Sequence, residues 1–281
     1  MQASVKTLVE EQFSHLFREG RVQPYQNPSS IVMGVHKGGS TMLHSFIRSY
    51  SNQLKRQGKA ICVLNLPHLL FQGGYADDDF DDAGIIPRLI AESKHVCAYG
   101  WRQVPLSFLR HKRRLQRMPS ICLIRDPRDC VVSAYYSFLK THRLPQDLES
   151  SAAQKVLAER ERGKDMSIDT YCLENYSRFR QELLRVAAFL NPMAQIYRYE
   201  DIWENKEWFF RDVLAHIGLS YEQEAFNKAF ASVDIKPGQD PRGHVRKGTP
   251  GDHKQKLREE TIQHINRESS LVLDFFGYET S

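Results

Sequence analysis

The sequence predicts an α/β fold, a single domain with a central, mostly parallel β-sheet flanked by helices. Three observations predict it. Five short apolar runs rich in β-branched or aromatic residues recur along the chain. Helix-length segments lie between them, and near-continuous apolar strands alternating with helices indicate a parallel sheet covered on both faces. A glycine-rich turn joins the first run to the first long helix, an arrangement that gathers backbone N–H groups around an anion.

The elements follow in order. Residues 1–29 hold an amphipathic helix pattern, MQASVKTLVEEQFSHLFREG, and a lead-in; acids within it and the lack of an apolar stretch argue against a signal peptide. The runs IVMGV (31–35), AICVL (60–64), HVCAY (95–99), SICLI (120–124) and AQIYRY (194–199) are the five strands. The strongest helices are 41–56, 127–141, 167–190, stopped by Asn191-Pro192, and 206–217, ended by Gly218. Residues 142–166, polar and helix-prone, read as a lid over a bound acceptor or a surface insertion. Residues 234–252, DIKPGQDPRGHVRKGTPGD, are dense in glycine, proline and charge, and a loop of that kind inside a domain is functional or disordered. No internal repeat is present.

Composition removes several classes. With 281 residues, 41% hydrophobic and 26% charged, the chain can bury a full core without disulfides or metals, which excludes wholesale disorder. Its net charge of +5 suits an anionic ligand. The five cysteines form no C-x-x-C pair, so neither a disulfide framework nor a zinc knuckle is indicated. The longest apolar segment, 61–71, is broken by Asn65, Pro67 and His68, and falls short of the ~20 residues of a spanning helix. The expectation is a cytoplasmic protein without a membrane anchor. The basic run RHKRR (110–114) has no aromatic-interleaved or groove-reading companion, so a solvated helix face is expected rather than a nucleic-acid partner.

Two segments carry chemistry. In the first, the strand 31–35 runs through His36, Lys37, Gly38, Gly39, Ser40 and Thr41 into a helix. The two glycines allow close backbone approach, Lys37 supplies a mobile charge, and the hydroxyls add donors. Alone, it is equally an ordinary glycine turn. In a nucleotide-hydrolysing loop the lysine follows the second glycine; here it precedes the glycine pair. In the second segment, SICLIRDPRDCVVS, a strand ends at Ile124, Pro127 opens a helix, and Arg125 and Ser133 offer a planar fork and a hydroxyl. By itself it also reads as a turn with Arg125 or Arg128 salt-bridged to Asp126 or Asp129.

Taken together, HKGGST, RDPRDCVVS, YRYED (197–201) and RKGTPGDHK (246–254) resemble, in the same order, the sulfotransferases that use 3′-phosphoadenosine-5′-phosphosulfate (PAPS). The resemblance spans roughly residues 30–278 and implies a P-loop-like sulfotransferase fold. It implies that Lys37, Gly38, Gly39, Ser40 and Thr41 form the 5′-phosphosulfate loop, with Met42 beside the adenine. It also implies that Arg125 and Ser133 clamp the 3′-phosphate, that Arg246, Lys247 and Gly248 fold over it, and that Tyr199 lies by the adenine. Lys37 and Thr41 would act in catalysis, and no metal is implied. The chain departs from the family at Met42, at His253 in place of tryptophan, at Ala231-Ser232-Val233, and at 98–103, AYGWRQ, where the catalytic base is missing. Replacement base candidates are His68, Glu92, the acidic run 77–82 and His142. That run would also attract a cationic acceptor. The family's dimer motif is absent after Lys254, so no oligomeric state is inferred. The expected reaction moves a sulfuryl group to a hydroxyl, amine or guanidine of a small molecule, leaving adenosine 3′,5′-bisphosphate. A P-loop small-molecule kinase or NTPase and an inactive nucleotide-binding protein are the alternatives.

Overall fold

The computed structural model describes residues 29–59, 62–68, 85–92, 96–141, 151–234 and 248–280. The lead-in through residue 28, the acidic run 77–82, residues 142–150 with His142, and 235–247 with Arg246 and Lys247 lie outside them. In chain order the first elements are β1 (Ser30–Gly34), α1 (Ser40–Arg56), β2 (Cys62–Asn65), α2 (Ile85–Glu92), β3 (Val96–Trp101), α3 (Leu106–Arg110), α4 (Lys112–Leu115) and β4 (Ser120–Ile124). There follow α5 (Pro127–Tyr136), a π-helical turn (Ser137–Thr141), α6 (Ser151–Gly163), α7 (Ile168–Phe189) and β5 (Ala194–Arg198). The chain closes with α8 (Tyr199–Ile202), α9 (Lys206–His216), α10 (Gln223–Ala231), α11 (His253–Lys256) and α12 (Glu259–Phe275). All five expected strands form, with ends shifted by a residue or two. The expected helix 127–141 divides into α5 and the π-helical turn.

The residues group into two compact units, Met1–Ile124 with Arg185–Asp234, and Arg125–Leu184 with Ile235–Ser281. The first holds one sheet in the order β2-β3-β1-β4-β5, every neighbouring pair parallel. β1 and β4 are buried at every position, so both of their faces are apolar rather than one. Val32, Tyr99, Leu123 and Tyr197 line one face under α1, α9 and α10. There the apolar stripe of α1 (Leu43, Phe46, Ile47, Tyr50 and Leu54) enters the core at helical spacing. Phe46 stacks on Phe210 with centroids 4.0 Å apart, and the Tyr50 hydroxyl donates to the Ser220 carbonyl and accepts from the Glu222 N–H.

One irregularity decides where side chains point. Val32 pairs with Tyr99 but Met33 pairs with Trp101, so Gly100 is an extra residue in β3. Its φ of +116° suits glycine, and a Cβ there would fall 2.2 Å from Asn65 Oδ1. Tyr99 therefore shares a face with Val32, and Trp101 turns to the other, edge-on to Phe108.

From β1 the chain winds outward to edge strand β2, and from β4 it winds the opposite way to β5. Winding thus reverses between β1 and β4. Ligands of open α/β sheets bind beyond the carboxyl ends of the strands at such a point.

In the second unit, Arg128 ties the start of α5 to α12 and the C-terminal segment. It pairs with Asp126 at 2.6 Å and donates to Asn266 Oδ1 and the Glu279 carbonyl, both at 2.8 Å. Tyr135 packs edge-on to Tyr171 and donates to the Met166 carbonyl.

Candidate active site

In the first unit, the turn after β1 is wound tightly. Gly38 N–H donates to the Val35 carbonyl at 3.1 Å, and Lys37 and Gly39 have φ of 61° and 89°. Among the described residues Lys37 is the non-glycine with positive φ, the kind of local strain that gathers at functional sites. Gly39 is the N-cap of α1, and a Cβ on it would lie 2.9 Å from the Tyr199 ring. Tyr199 is buried and opens α8 immediately after β5, so its ring reaches the turn that closes under Ser40. Ser40 is buried, Lys37 half-buried and Thr41 exposed. The N–H groups of a helix's first turn have no partner inside the helix, and its dipole is positive at that end. A turn with these donors, a lysine and two hydroxyls can hold a phosphate or sulfate group.

In the second unit, Asp129 and Ser133 are four residues apart on α5 and so share one side of it, and Arg125 lies just before its N-cap, Asp126. Arg125 and Asp129 are buried and paired at 3.3 Å. Asp129 also accepts from Gly251 N–H at 2.7 Å, His253 N–H at 3.0 Å and His253 Nδ1 at 2.7 Å. Burial alone would raise the Asp129 carboxyl, but the hydrogen bond from His253 and the Arg125 charge outweigh it and hold it well below the carboxylate range. Arg125 further donates to the Thr249 carbonyl at 3.4 Å. The salt-bridged turn that RDPRD also allowed is present, and each arginine has its own partner: Arg128 with Asp126, and Arg125 with Asp129.

The structure also places His68 and Met42. His68 is exposed and follows β2, the edge strand two places from β1. Its N–H donates to Asn65 Oδ1. Met42 packs against the core. The side chain of Glu92 lies outside the described residues. His44, which no motif singled out, sits one turn beyond Ser40 with its ring 5.8 Å from Tyr99. Its Nε2 is buried without a hydrogen-bond partner among the described residues, and burial, helped by the nearby Arg102 charge, pushes its pKa down to about 3. Cys97, Cys122, Cys130 and Cys172 are buried, and burial pushes the Cys122 thiol up to about 12.

The family model of the sulfotransferase domain matches residues 27–269. The chain belongs to the sulfotransferase family. It is a PAPS-dependent sulfotransferase acting on some acceptor. Among solved structures, this sulfotransferase is similar to mouse sulfotransferase SULT7A1 complexed with PAP, at 14% identity and a TM-score of 0.50 over 90% of each chain. It is also similar to retinol dehydratase in complex with androsterone and inactive cofactor PAP, at 14% identity and a TM-score of 0.47 over 92% of this chain and 85% of that one. A sulfotransferase from Alicyclobacillus acidocaldarius matches at 14% identity and a TM-score of 0.45 over 90% and 97%. Comparison with curated proteins gives no match. Among the described residues of the sulfotransferase, no helix is long and apolar enough to cross a membrane.

Within its first unit, the sulfotransferase brings Tyr199 against the 36–41 turn. Within the second it joins Arg125 to the backbone just after Gly248. Sequence reasoning missed Asp129 as the common partner of Arg125 and His253, although the four-residue spacing from Arg125 was in view.

Proposed function

We propose that this sulfotransferase moves the sulfuryl group of PAPS to a hydroxyl, amine or guanidine of a small-molecule acceptor by in-line displacement, without a metal. The observation that carries the reading is the strand order. β1 and β4 are parallel neighbours where the winding reverses, and at its carboxyl end each passes the chain to a basic, helix-opening turn. The donor bears phosphate at both ends of one adenosine and so calls for two cationic segments, where a single-phosphate ligand needs only one.

The residues present fit the donor. At Gly39 the Tyr199 and Leu123 side chains leave no room for a Cβ, so the turn keeps a glycine at the N-cap of α1. PAPS supplies a sulfuryl group bonded to a phosphate that departs with the bond's electrons. Lys37, the α1 N–H groups and the exposed Thr41 hydroxyl stabilise the charge that collects on that phosphate. Arg125 and Ser133 grip the 3′-phosphate, with Arg246, Lys247 and Gly248 over it, and Tyr199 borders the adenine.

Labelled PAPS offered with a panel of phenols, alcohols and amines, in EDTA, tests this beside Lys37→Ala. Transfer that persists in EDTA and disappears in the variant supports the proposal. Transfer abolished by EDTA overturns the metal-free reading, and full activity in Lys37→Ala overturns the role of the lysine.

A further inference from the structure

We propose that Asp129 is the positioning residue of the 3′-phosphate clamp, holding the Arg125 guanidinium and the turn at 251–253 on one carboxylate. The inference rests on the reading of Arg125 as a phosphate ligand and goes beyond it. Asp129 is 1% exposed, yet its two oxygens collect four donors from two stretches more than 120 residues apart. Oδ2 accepts from Arg125 and the Gly251 N–H; Oδ1 accepts from the His253 N–H and bonds its ring at Nδ1.

The geometry explains why a carboxylate stands between two residues meant for an anion. Ionised and unpaired, Asp129 would repel a phosphate at Arg125 and Ser133. With four donors its charge is spent inward, and the arginine fork is fixed before the phosphate arrives. The same carboxylate anchors residue 251, three residues past Gly248. The neighbouring carboxylate, Asp126, accepts instead from the backbone and guanidinium of Arg128. Flexible arginines gain affinity when their geometry is set in advance. His253 stands where the family carries tryptophan, and its ring nitrogen gives this chain a polar link to Asp129 that an indole at that position does not reproduce at Nδ1.

The test measures, by calorimetry, how much tighter adenosine 3′,5′-bisphosphate binds than adenosine 5′-phosphate, in wild type, Asp129→Asn, His253→Gln and His253→Phe. Asp129→Asn should cut that ratio by about tenfold or more, the scale on which residues that orient a ligand's direct contacts act, with affinity for the 5′-phosphate held. His253→Gln, which keeps a donor, should retain most of the ratio, and His253→Phe should lose part of it. A wild-type ratio in Asp129→Asn overturns the proposal, as does an equal fall for both nucleotides, which marks a merely structural residue. Should Asp129→Asn fail to fold, an unchanged ratio in His253→Phe overturns it and a reduced one supports it. Wild type that does not distinguish the nucleotides removes the 3′-phosphate reading itself, whereas failure confined to the variants leaves that reading standing.

Discussion

Replacing Gly39 by alanine probes the 36–41 turn most sharply. The residue sits at φ 89°, and the new methyl carbon would lie 2.9 Å from Cδ2 and 3.1 Å from Cε2 of the Tyr199 ring. Left-handed backbone costs a non-glycine residue about 1–2 kcal/mol. Forcing a methyl into a filled site costs about 1–3 kcal/mol. The tyrosine cannot swing away cheaply, because it is buried and its ring lies 5.6 Å from that of Trp203. Gly39→Ala should therefore lose about 2–5 kcal/mol of stability and, at about 2–4 °C per kcal/mol, melt about 5–15 °C lower. Urea titration at fixed pH measures the loss. In a Tyr199→Leu background the steric share should shrink, leaving the backbone cost of about 1–2 kcal/mol, so the two changes should couple. Affinity for adenosine 3′,5′-bisphosphate should fall with the displaced turn. A Gly39→Ala protein within about 0.5 kcal/mol of wild type, the range of an ordinary surface change, would refute the geometry assigned to this turn.

Three further outcomes are expected. Lys37→Ala should lower kcat by about 10²–10³, the worth of one preorganised donor, with product affinity changed far less; stopped-time transfer assays and calorimetry separate the two, and an intact kcat contradicts the assignment. Arg128→Ala should cost about 3–5 kcal/mol of stability, because it strands a buried Asp126, while nucleotide affinity measured well below the melting temperature is retained; weakened nucleotide binding with unchanged melting would reverse the roles of the two arginines. His44 has a folded pKa of about 3 against 6.5 unfolded, so between those values the unfolded chain binds the extra proton. Its contribution is complete above pH 6.5 and is lost as pH falls toward 3, at most about 1.4 kcal/mol per pH unit. His44→Leu should thus lose less stability than wild type between pH 7 and pH 5 in urea titrations, and identical losses would count against the buried, neutral imidazole.

Much of this was legible in the chain because burial on both faces leaves a strong signature. Ile31, Val32, Met33 and Gly34 have no polar alternation, so the run had to be an inner strand. Pro127 after Arg125-Asp126 marked the start of α5, and Asp126 indeed caps it by accepting from the Arg128 N–H. What was not legible depends on contacts distant in sequence or on single backbone angles. A period of two puts Tyr99 and Trp101 on one face, and only the extra residue at Gly100 separates them. Met42 stands where the family carries a tryptophan, and that its side chain packs against the core follows from its place on α1 rather than from its type. Asp129 and His253 are separated by 124 positions, and neither residue type announces the other. The run 110–114 spans α3 and α4, with Arg113 and Arg114 exposed and Lys112 spent on the Ala188 carbonyl.

The function proposed for this enzyme requires that it bind both phosphorylated ends of one nucleotide. Calorimetric titration of the wild-type chain with adenosine 3′,5′-bisphosphate and with adenosine 5′-phosphate tests it most directly. Charge-assisted hydrogen bonds to the second phosphate predict binding tighter by about 10–100-fold for the bisphosphate. Equal affinity for the two would contradict the account.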